Sequence, residues 1–208
     1  MELGENHRNR QTEKVAGILR SGGLVGYPTE SFYGLAADAA NETAIHRLFC
    51  VKRRKPGKPV LLLIPSVECL GRYAARVSET AERLISAFWP GGLTLVFQAR
   101  EEVSKLLTAG TGKIGIRLSS HPVAKALTQT FGAAITGTSA NISGAPPCRT
   151  PDAVLEALGK DVDMILDGGK TPGEKPSTVL DVTRWPHSLL REGLISKEML
   201  LPYSEGLR

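Results

Sequence analysis

The sequence has few of the features that mark secreted, zinc-bound or membrane proteins. Its three cysteines, at positions 50, 69 and 148, are odd in number and lack CxxC spacing, which argues against a disulfide framework and a zinc site. The longest apolar run, over residues 60–64, is far too short to cross a membrane. The first eleven residues are polar, so we expect no secretory signal and a cytoplasmic location.

Signatures of several enzyme classes are also missing. The sequence contains no HExxH pair, no Ser-His-Asp order and no GxxxxGK[ST] loop. Aromatic residues make up only 5%, which is too few for the stacking platforms that bind single-stranded nucleic acid. Hydrolase, zinc-enzyme and Walker-type functions therefore receive little support.

The charge that is present is mostly positive. Lys and Arg total 26 against 21 acidic residues, for a net charge of +5, which favours an anionic partner such as a nucleotide, nucleic acid or phosphate. Many proteins are this basic without binding RNA, so the total alone leaves both possibilities open.

Helical and strand patterns alternate along the chain. Helices are predicted from Thr12, over residues 121–131, and after four possible caps: Asn41, Ser66, Ser78 and Thr150. Strands are predicted over residues 24–27, 60–64, 93–98, 114–118, 134–138, 164–166, 178–182 and 189–191. This alternation predicts an α/β fold, with one domain over residues 12–200 and tails at 1–11 and 201–208.

Five polar segments lie where strands end or helices stop. Residues 28–35 combine hydroxyls, a carboxylate and a glycine, and residues 52–59 carry five cations, which either bind phosphate or only cap a helix. Arg117 lies in an apolar strand, where burial is costly unless it meets an anion. Residues 136–144 and 177–181 supply small polar side chains at strand ends, where ligands of open α/β sheets bind.

Taken in chain order, these segments resemble one known family. The matching stretches are PTESFYGL, Lys52-x-Arg54, WPGGLTLVF, IGIRLSSHP, TSANISG and STVLDVT, and together they resemble the YrdC-like threonylcarbamoyl-AMP synthases over residues 12–196. The resemblance implies a YrdC-like twisted mixed sheet flanked by helices, with a positively charged concave surface. It also implies a nucleotidyltransferase that makes threonylcarbamoyl-AMP and pyrophosphate from L-threonine, bicarbonate and ATP. A separate transfer machinery would then modify the tRNA adenosine beside the anticodon.

The resemblance also assigns roles to residues of this chain. Arg117 would bind the carboxylate of threonine, and further contacts to threonine would come from Thr29, Ser139 and Ser177. The nucleotide would be held by Lys52 and Arg54, which are also the catalytic residues, and by Lys58, Asn141 and Arg191. Mg²⁺ would arrive with ATP and take few protein ligands.

Some positions depart from the family pattern. Ser31 stands where Thr or Val is commoner, the REG at 191–193 replaces a commoner RPG, and no role is assigned to Arg149. We also expect the second, C-terminal domain of the longer members to be missing. The alternative function is a double-stranded RNA-binding or ribosome-maturation module without catalysis, because A-form RNA can be recognised by shape.

Overall fold

A computed structural model of the chain describes residues 2–55, 57–204 and 206–208, with side chains from residue 11 onward. In these ranges the helices are α1 Glu2–Arg20, α2 Glu42–Val51, α3 Glu79–Phe88, α4 Lys105–Thr108, α5 Pro122–Phe131, α6 Pro151–Leu158 and α7 Lys197–Leu200. Two 3-10 helices, Val67–Arg72 and Leu201–Tyr203, accompany them. No helix in the described part of the chain is long and apolar enough to span a membrane.

Ten short strands form two mixed sheets in the described chain. The strands are β1 Val25–Tyr27, β2 Gly34–Ala36, β3 Leu62–Leu63, β4 Leu93–Gln98, β5 Lys113–Arg117, β6 Ile135–Thr136, β7 Thr138–Ser139, β8 Met164–Ile165, β9 Thr178–Asp181 and β10 Ser188–Arg191. One sheet has the order β7-β2-β1-β8 and the other β10-β9-β4-β5-β3-β6. The predicted α/β fold with mixed sheets flanked by helices is therefore confirmed.

Three of the four predicted helix caps form as expected. The side chains of Asn41, Ser78 and Thr150 each accept a hydrogen bond from a backbone N–H in the first turn of α2, α3 and α6. The fourth expectation was wrong, because Ser66 precedes a 3-10 helix and makes no cap hydrogen bond. Its hydroxyl instead contacts the sulfur of Cys69 at 3.8 Å.

The strand predicted over residues 134–138 is two strands, β6 and β7, in different sheets. Gly137 separates them, and a Cβ at this position would lie 2.2 Å from the Cδ1 atoms of Leu61 and Leu63. The backbone N–H of Gly137 also donates to the carbonyl of Leu61 at 2.8 Å. Only glycine permits so close an approach, and the two sheets meet here.

Both chain ends carry more structure than the predicted tails. Helix α1 begins at Glu2 instead of Thr12, since residues 2–11 contain no proline to interrupt it. At the other end, the Leu189 N–H donates to the Arg208 carbonyl and the Arg208 N–H donates to the His187 carbonyl, each at 3.0 Å. The last residues therefore extend the edge of the larger sheet beside β10.

The sequence patterns also missed or lengthened several elements. Strand β2 and the four-residue helices α4 and α7 were not predicted, because elements this short show no periodicity. The strand predicted over residues 60–64 shortens to β3, since the Val60 N–H donates outside the sheet, to the Leu107 carbonyl. These elements surround the region where the two sheets meet.

The turn after β10 is too crowded for any side chain at Gly193. A Cβ there would lie 2.1 Å from the Pro176 carbonyl oxygen and 2.8 Å from the Ser177 carbonyl carbon, both backbone atoms. We expect Gly193→Ala to lower the free energy of unfolding by about 1–3 kcal/mol, as overpacking does. Thermal unfolding monitored by circular dichroism measures the change.

The matched control is Gly17→Ala in the exposed interior of α1. A Cβ at Gly17 meets nothing within 4 Å. Because glycine costs about 0.5–1 kcal/mol relative to alanine inside a helix, this variant should be slightly more stable than the parent. Equal stability of both variants would contradict the crowding at Gly193.

Candidate functional site

A cavity of about 440 Å³ opens where the two sheets meet. Its walls include residues from the loop after β1, the end of β5, the segment after β7 and the turn before β9. Seven of the predicted site residues line it: Thr29, Arg54, Arg117, Ser139, Asn141, Ser177 and Arg191. The two remaining predicted residues, Lys52 and Lys58, do not line it.

The loop after β1 is held by its own hydroxyl groups. Thr29 Oγ1 donates to the Phe32 carbonyl at 2.7 Å and accepts from the Ser31 N–H at 3.1 Å. Ser31 Oγ lies 3.0 Å from Thr29 Oγ1. The polar side chains at the carboxyl end of the strand thus form a compact turn, which fixes one wall of the cavity.

Arg117 is the charged group at the bottom of the cavity. Its side chain is only 4% exposed, and Nη1 donates to Glu30 Oε1 at 2.5 Å. Ser119 donates a hydrogen bond to the other oxygen of the same carboxylate. The buried arginine therefore meets an anion from the protein itself, as a buried charge must.

The pair leaves part of the guanidinium without a partner. Arg117 Nε is buried and makes no hydrogen bond within the described chain. An N–H in this position costs free energy unless an acceptor reaches it. Arg117 can therefore still donate to an anionic ligand that enters the cavity while Glu30 keeps its side chain in place.

Lys52 lies beneath the cavity wall, and it was wrong to expect it on an exposed basic tract. It is 1% exposed, and its Nζ donates to the carbonyls of Ser139 and Asn141 and, at 3.3 Å, to Asn141 Oδ1. Burial, and to a lesser degree the charge of Arg54, lowers the pKa of Lys52 to about 8. The ammonium group thus holds the segment after β7 in place without lining the cavity itself.

Ser139 and Asn141 lie side by side, as their spacing predicts. Ser139 Oγ donates to Asn141 Oδ1 at 2.5 Å, and Asn141 Nδ2 donates to the Ala145 carbonyl at 2.6 Å. The Asn141 N–H also donates to the Ser139 carbonyl at 3.0 Å, so the backbone turns here instead of staying extended. The two side chains are joined by this turn and by Lys52.

Arg54 and Lys58, the other predicted site residues of the basic segment over residues 52–59, differ in their positions relative to the cavity. Arg54 lines the cavity, and its guanidinium donates to the carbonyls of Lys58 and Pro59 at 3.1 and 2.8 Å. Lys58 contributes its carbonyl to this contact, while its side chain is exposed and lies outside the lining. Arg54 therefore holds its own loop and keeps a charged edge on the cavity.

Ser177 and Arg191 form the opposite wall. Arg191 Nη2 donates to Ser177 Oγ and Arg191 Nε donates to the Ser177 carbonyl, each at 3.0 Å. Thr94 Oγ1 is 3.0 Å from the same Ser177 hydroxyl. Burial lowers the pKa of Arg191, and the charge of Arg117 adds to this lowering. The positive charges of Arg117 and Arg191 therefore repel each other, and an anion bound between them would relieve this repulsion.

Sequence reasoning missed Glu30 and Ser119 as members of the site. Glu30 was visible as a carboxylate in the loop after β1, but its partner Arg117 is 87 residues away in sequence. Arg149, to which no role was assigned, donates a hydrogen bond to the Pro172 carbonyl and does not line the cavity. A long-range ion pair of this kind leaves no local pattern in the sequence.

The lining predicts the chemical class of the ligand. Arg54, Arg117 and Arg191 line the cavity, and none of the described lining residues is an Asp or Glu. No group of three or more His, Cys, Asp or Glu side chains capable of holding a metal occurs among the described residues. The cavity is therefore suited to an anionic ligand.

Comparisons with known proteins agree with this geometry. A threonylcarbamoyl-AMP synthase of Pyrococcus abyssi is 40% identical over 86% of this chain and 53% of its own length. A threonylcarbamoyl-AMP synthase of Photobacterium profundum is 34% identical over 87% of this chain and 98% of its own length. The crystal structure of P. abyssi Sua5 complexed with L-threonine matches with a TM-score of 0.93 at 37% identity, over 96% of this chain and 59% of that one.

The chain thus spans about half the length of its archaeal relative and nearly all of the shorter bacterial one. The family model named Sua5_yciO_yrdC and described as "Telomere recombination" matches residues 17–193. That match includes every residue that lines the cavity, from Tyr27 to Arg191. On this evidence the chain belongs to the Sua5/YciO/YrdC family.

Proposed function

We propose that this chain is an L-threonylcarbamoyladenylate synthase, a nucleotidyltransferase that joins L-threonine, bicarbonate and ATP with release of pyrophosphate. The observation that carries the proposal is the buried Arg117, which lines one cavity together with Arg54 and Arg191 and whose Nε has no hydrogen-bond partner within the described chain. Relatives of the same family that match most of this chain are named threonylcarbamoyl-AMP synthase.

Arg117 is suited to the carboxylate of threonine. A guanidinium binds a carboxylate through two N–H groups in a fixed plane, and Glu30 already fixes the plane of this one. Thr29, Ser139 and Ser177 line the same cavity and would contact the rest of the amino acid. The P. abyssi relative was crystallised with L-threonine, which supports this choice of substrate.

Arg54 and Arg191 are suited to the phosphates of ATP. Both side chains line the cavity and are held in place by backbone carbonyls, so they lose little conformational freedom when they bind an anion. In the reaction, the amino group of threonine and bicarbonate combine with loss of water to give an N-carboxy-threonine, whose carboxylate oxygen attacks the α-phosphorus of ATP. The bond from that phosphorus to the bridging oxygen breaks, and pyrophosphate leaves with the electron pair.

Positioning and charge would supply most of the catalysis. Negative charge grows on the phosphate oxygens during the transfer, and fixed arginines stabilise it. Mg²⁺ would come with ATP and take its ligands from the phosphates, because the described lining offers hydroxyl and amide oxygens but no carboxylate. Lys52 would act from behind, by holding Ser139 and Asn141 in the cavity wall. Transfer of the product to tRNA would fall to a separate machinery.

The decisive experiment is the release of pyrophosphate by the purified chain. We expect release only when L-threonine, bicarbonate and MgATP are all present, and the adenylate should be detected by mass spectrometry. Omission of each substrate in turn is the control. Release that does not require threonine would contradict the proposed reaction, and no release together with binding of double-stranded RNA would favour the non-catalytic alternative.

Arg117→Lys tests the carboxylate contact without leaving Glu30 unpaired. Lysine keeps a charge for Glu30 but lacks the guanidinium N–H groups. We expect the KM for threonine to rise at least tenfold, equivalent to about 1.4 kcal/mol, while the KM for ATP changes little. Steady-state pyrophosphate release measures both constants. An unchanged KM for threonine would remove Arg117 from the threonine site.

Lys52 and Arg54 should respond differently to substitution. Arg54→Ala is expected to raise the KM for ATP with little change in melting temperature, because only loop carbonyls lose a donor. Lys52→Met should lower both activity and melting temperature, because three oxygens of Ser139 and Asn141 each lose the hydrogen bond from the ammonium group. The two variants are compared by activity and thermal unfolding side by side. A stable Lys52→Met protein would contradict the supporting role of Lys52.

A further inference from the structure

We propose that a second cavity, separate from the candidate site, binds the phosphate and base of a nucleotide. It measures about 340 Å³ and lies between the start of α3 and the loop that joins β9 to β10. Strand β4 reaches this cavity at Gln98, whereas its other end, at Leu93, pairs beside Ser177. Five residues of strand separate the two ends by about 16 Å.

Two free cations lie at this cavity. Arg76 and Arg184 both line it, both are exposed, and neither forms an ion pair or side-chain hydrogen bond with any described residue. The described lining contains no Asp or Glu. The nearby carboxylate of Asp181 is already neutralised by Lys113 at 2.8 Å. Glu79, in the first turn of α3, is exposed and does not line the cavity, so the charged side chains of the described lining are the two arginines, which suit a phosphate.

The first turn of α3 adds backbone donors to the same cavity. Ser78 and Thr80 line it, and the Ser78 side chain accepts from the Ala81 N–H at 3.3 Å. The N–H groups of Glu79 and Thr80 have no acceptor inside the helix, because they lie in its first turn. Such groups, together with the helix dipole, favour a negatively charged ligand.

His187 is an independent sign that a ligand binds here. Its side chain lines the cavity, is 6% exposed, and has no hydrogen-bond partner for either Nδ1 or Nε2 within the described chain. An imidazole carries at least one N–H donor, and buried polar groups of folded proteins are rarely left unpaired. Both nitrogens are closed off from solvent, so a phosphate or ribose oxygen in the cavity would give this donor an acceptor once Trp185 shifts.

Trp185 covers His187 and offers a flat surface to the solvent. The two rings meet edge to face, with centroids 5.5 Å apart and an interplanar angle of 83°. One side of the indole packs against Gly206, where a Cβ would come within 2.5 Å of the ring. The side chain is nevertheless 64% exposed. A nucleobase can stack on the free face, and a shift of the indole would open His187 to the ligand.

The combination of groups selects a nucleotide over simpler ligands. Inorganic phosphate would use the arginines and the first turn of α3 but not the indole. A nucleoside would use the indole but not the arginines. Only a ligand that joins a base to a phosphate uses both, and it can come as a free nucleotide or as part of a polynucleotide chain.

The test follows the indole N–H signal of Trp185 in ¹H–¹⁵N spectra of the whole chain, assigned with Trp185→Phe. We expect AMP to shift this signal, with inorganic phosphate and adenosine each binding at least tenfold more weakly. The titration is repeated in Arg54→Ala, so that nucleotide in the first cavity cannot account for the shift. A single-stranded oligoribonucleotide that binds at least tenfold more tightly than AMP identifies a polynucleotide as the source, whereas equal affinity identifies a free nucleotide.

Arg76→Gln/Arg184→Gln should abolish the shift and leave pyrophosphate release unchanged. The control, Arg72→Gln, removes an exposed arginine that does not line the cavity, and it should bind AMP normally. The proposal is overturned if no ligand shifts the Trp185 signal, or if the shift persists in the double variant. Because the signal is independent of turnover, this result stands whether or not the chain proves to be a synthase.

Discussion

The buried ammonium group of Lys52 is the contact on which the candidate site depends. A charge taken out of water must be surrounded by oxygen atoms of the protein, and here these come from the segment after β7. Satisfying Lys52 therefore fixes the backbone at Ser139 and Asn141, and with it the direction of both side chains. The Ser143 N–H donates in turn to the Lys52 carbonyl at 2.8 Å, so the contact runs in both directions. The end of α2 and this segment behave as one unit.

The same principle governs the other cations of the cavity. Arg117 is paired with Glu30, and Arg191 is held by the Ser177 hydroxyl and carbonyl. Each group has enough partners to be buried or fixed, yet Arg54, Arg117 and Arg191 remain within one lining without an acidic residue among its described members. The protein thus fixes these side chains before a ligand binds, and a bound anion would still gain favourable interactions with their charges. Preorganised charge of this kind is what phosphoryl chemistry requires.

The sequence allowed the fold class, most helix caps and most lining residues to be predicted. The caps at Asn41, Ser78 and Thr150 depend on local hydrogen bonds, which short patterns encode directly. The burial of Lys52 and its separation in role from Lys58 could not be predicted, because the two belong to one run of cations and differ only in tertiary contacts. The pairing of Glu30 with Arg117 likewise joins residues 87 positions apart. The division of residues 134–138 between two sheets depends on the leucines that crowd Gly137.

Gly137 also limits how the molecule can move. Because β6 and β7 belong to different sheets and only this residue separates them, the Cα atoms of Thr136 and Thr138 can never lie more than about 7 Å apart. The two sheets consequently cannot move apart at this point. A ligand must enter through the mouth of the cavity between side chains, and its size is limited by the loops around that mouth.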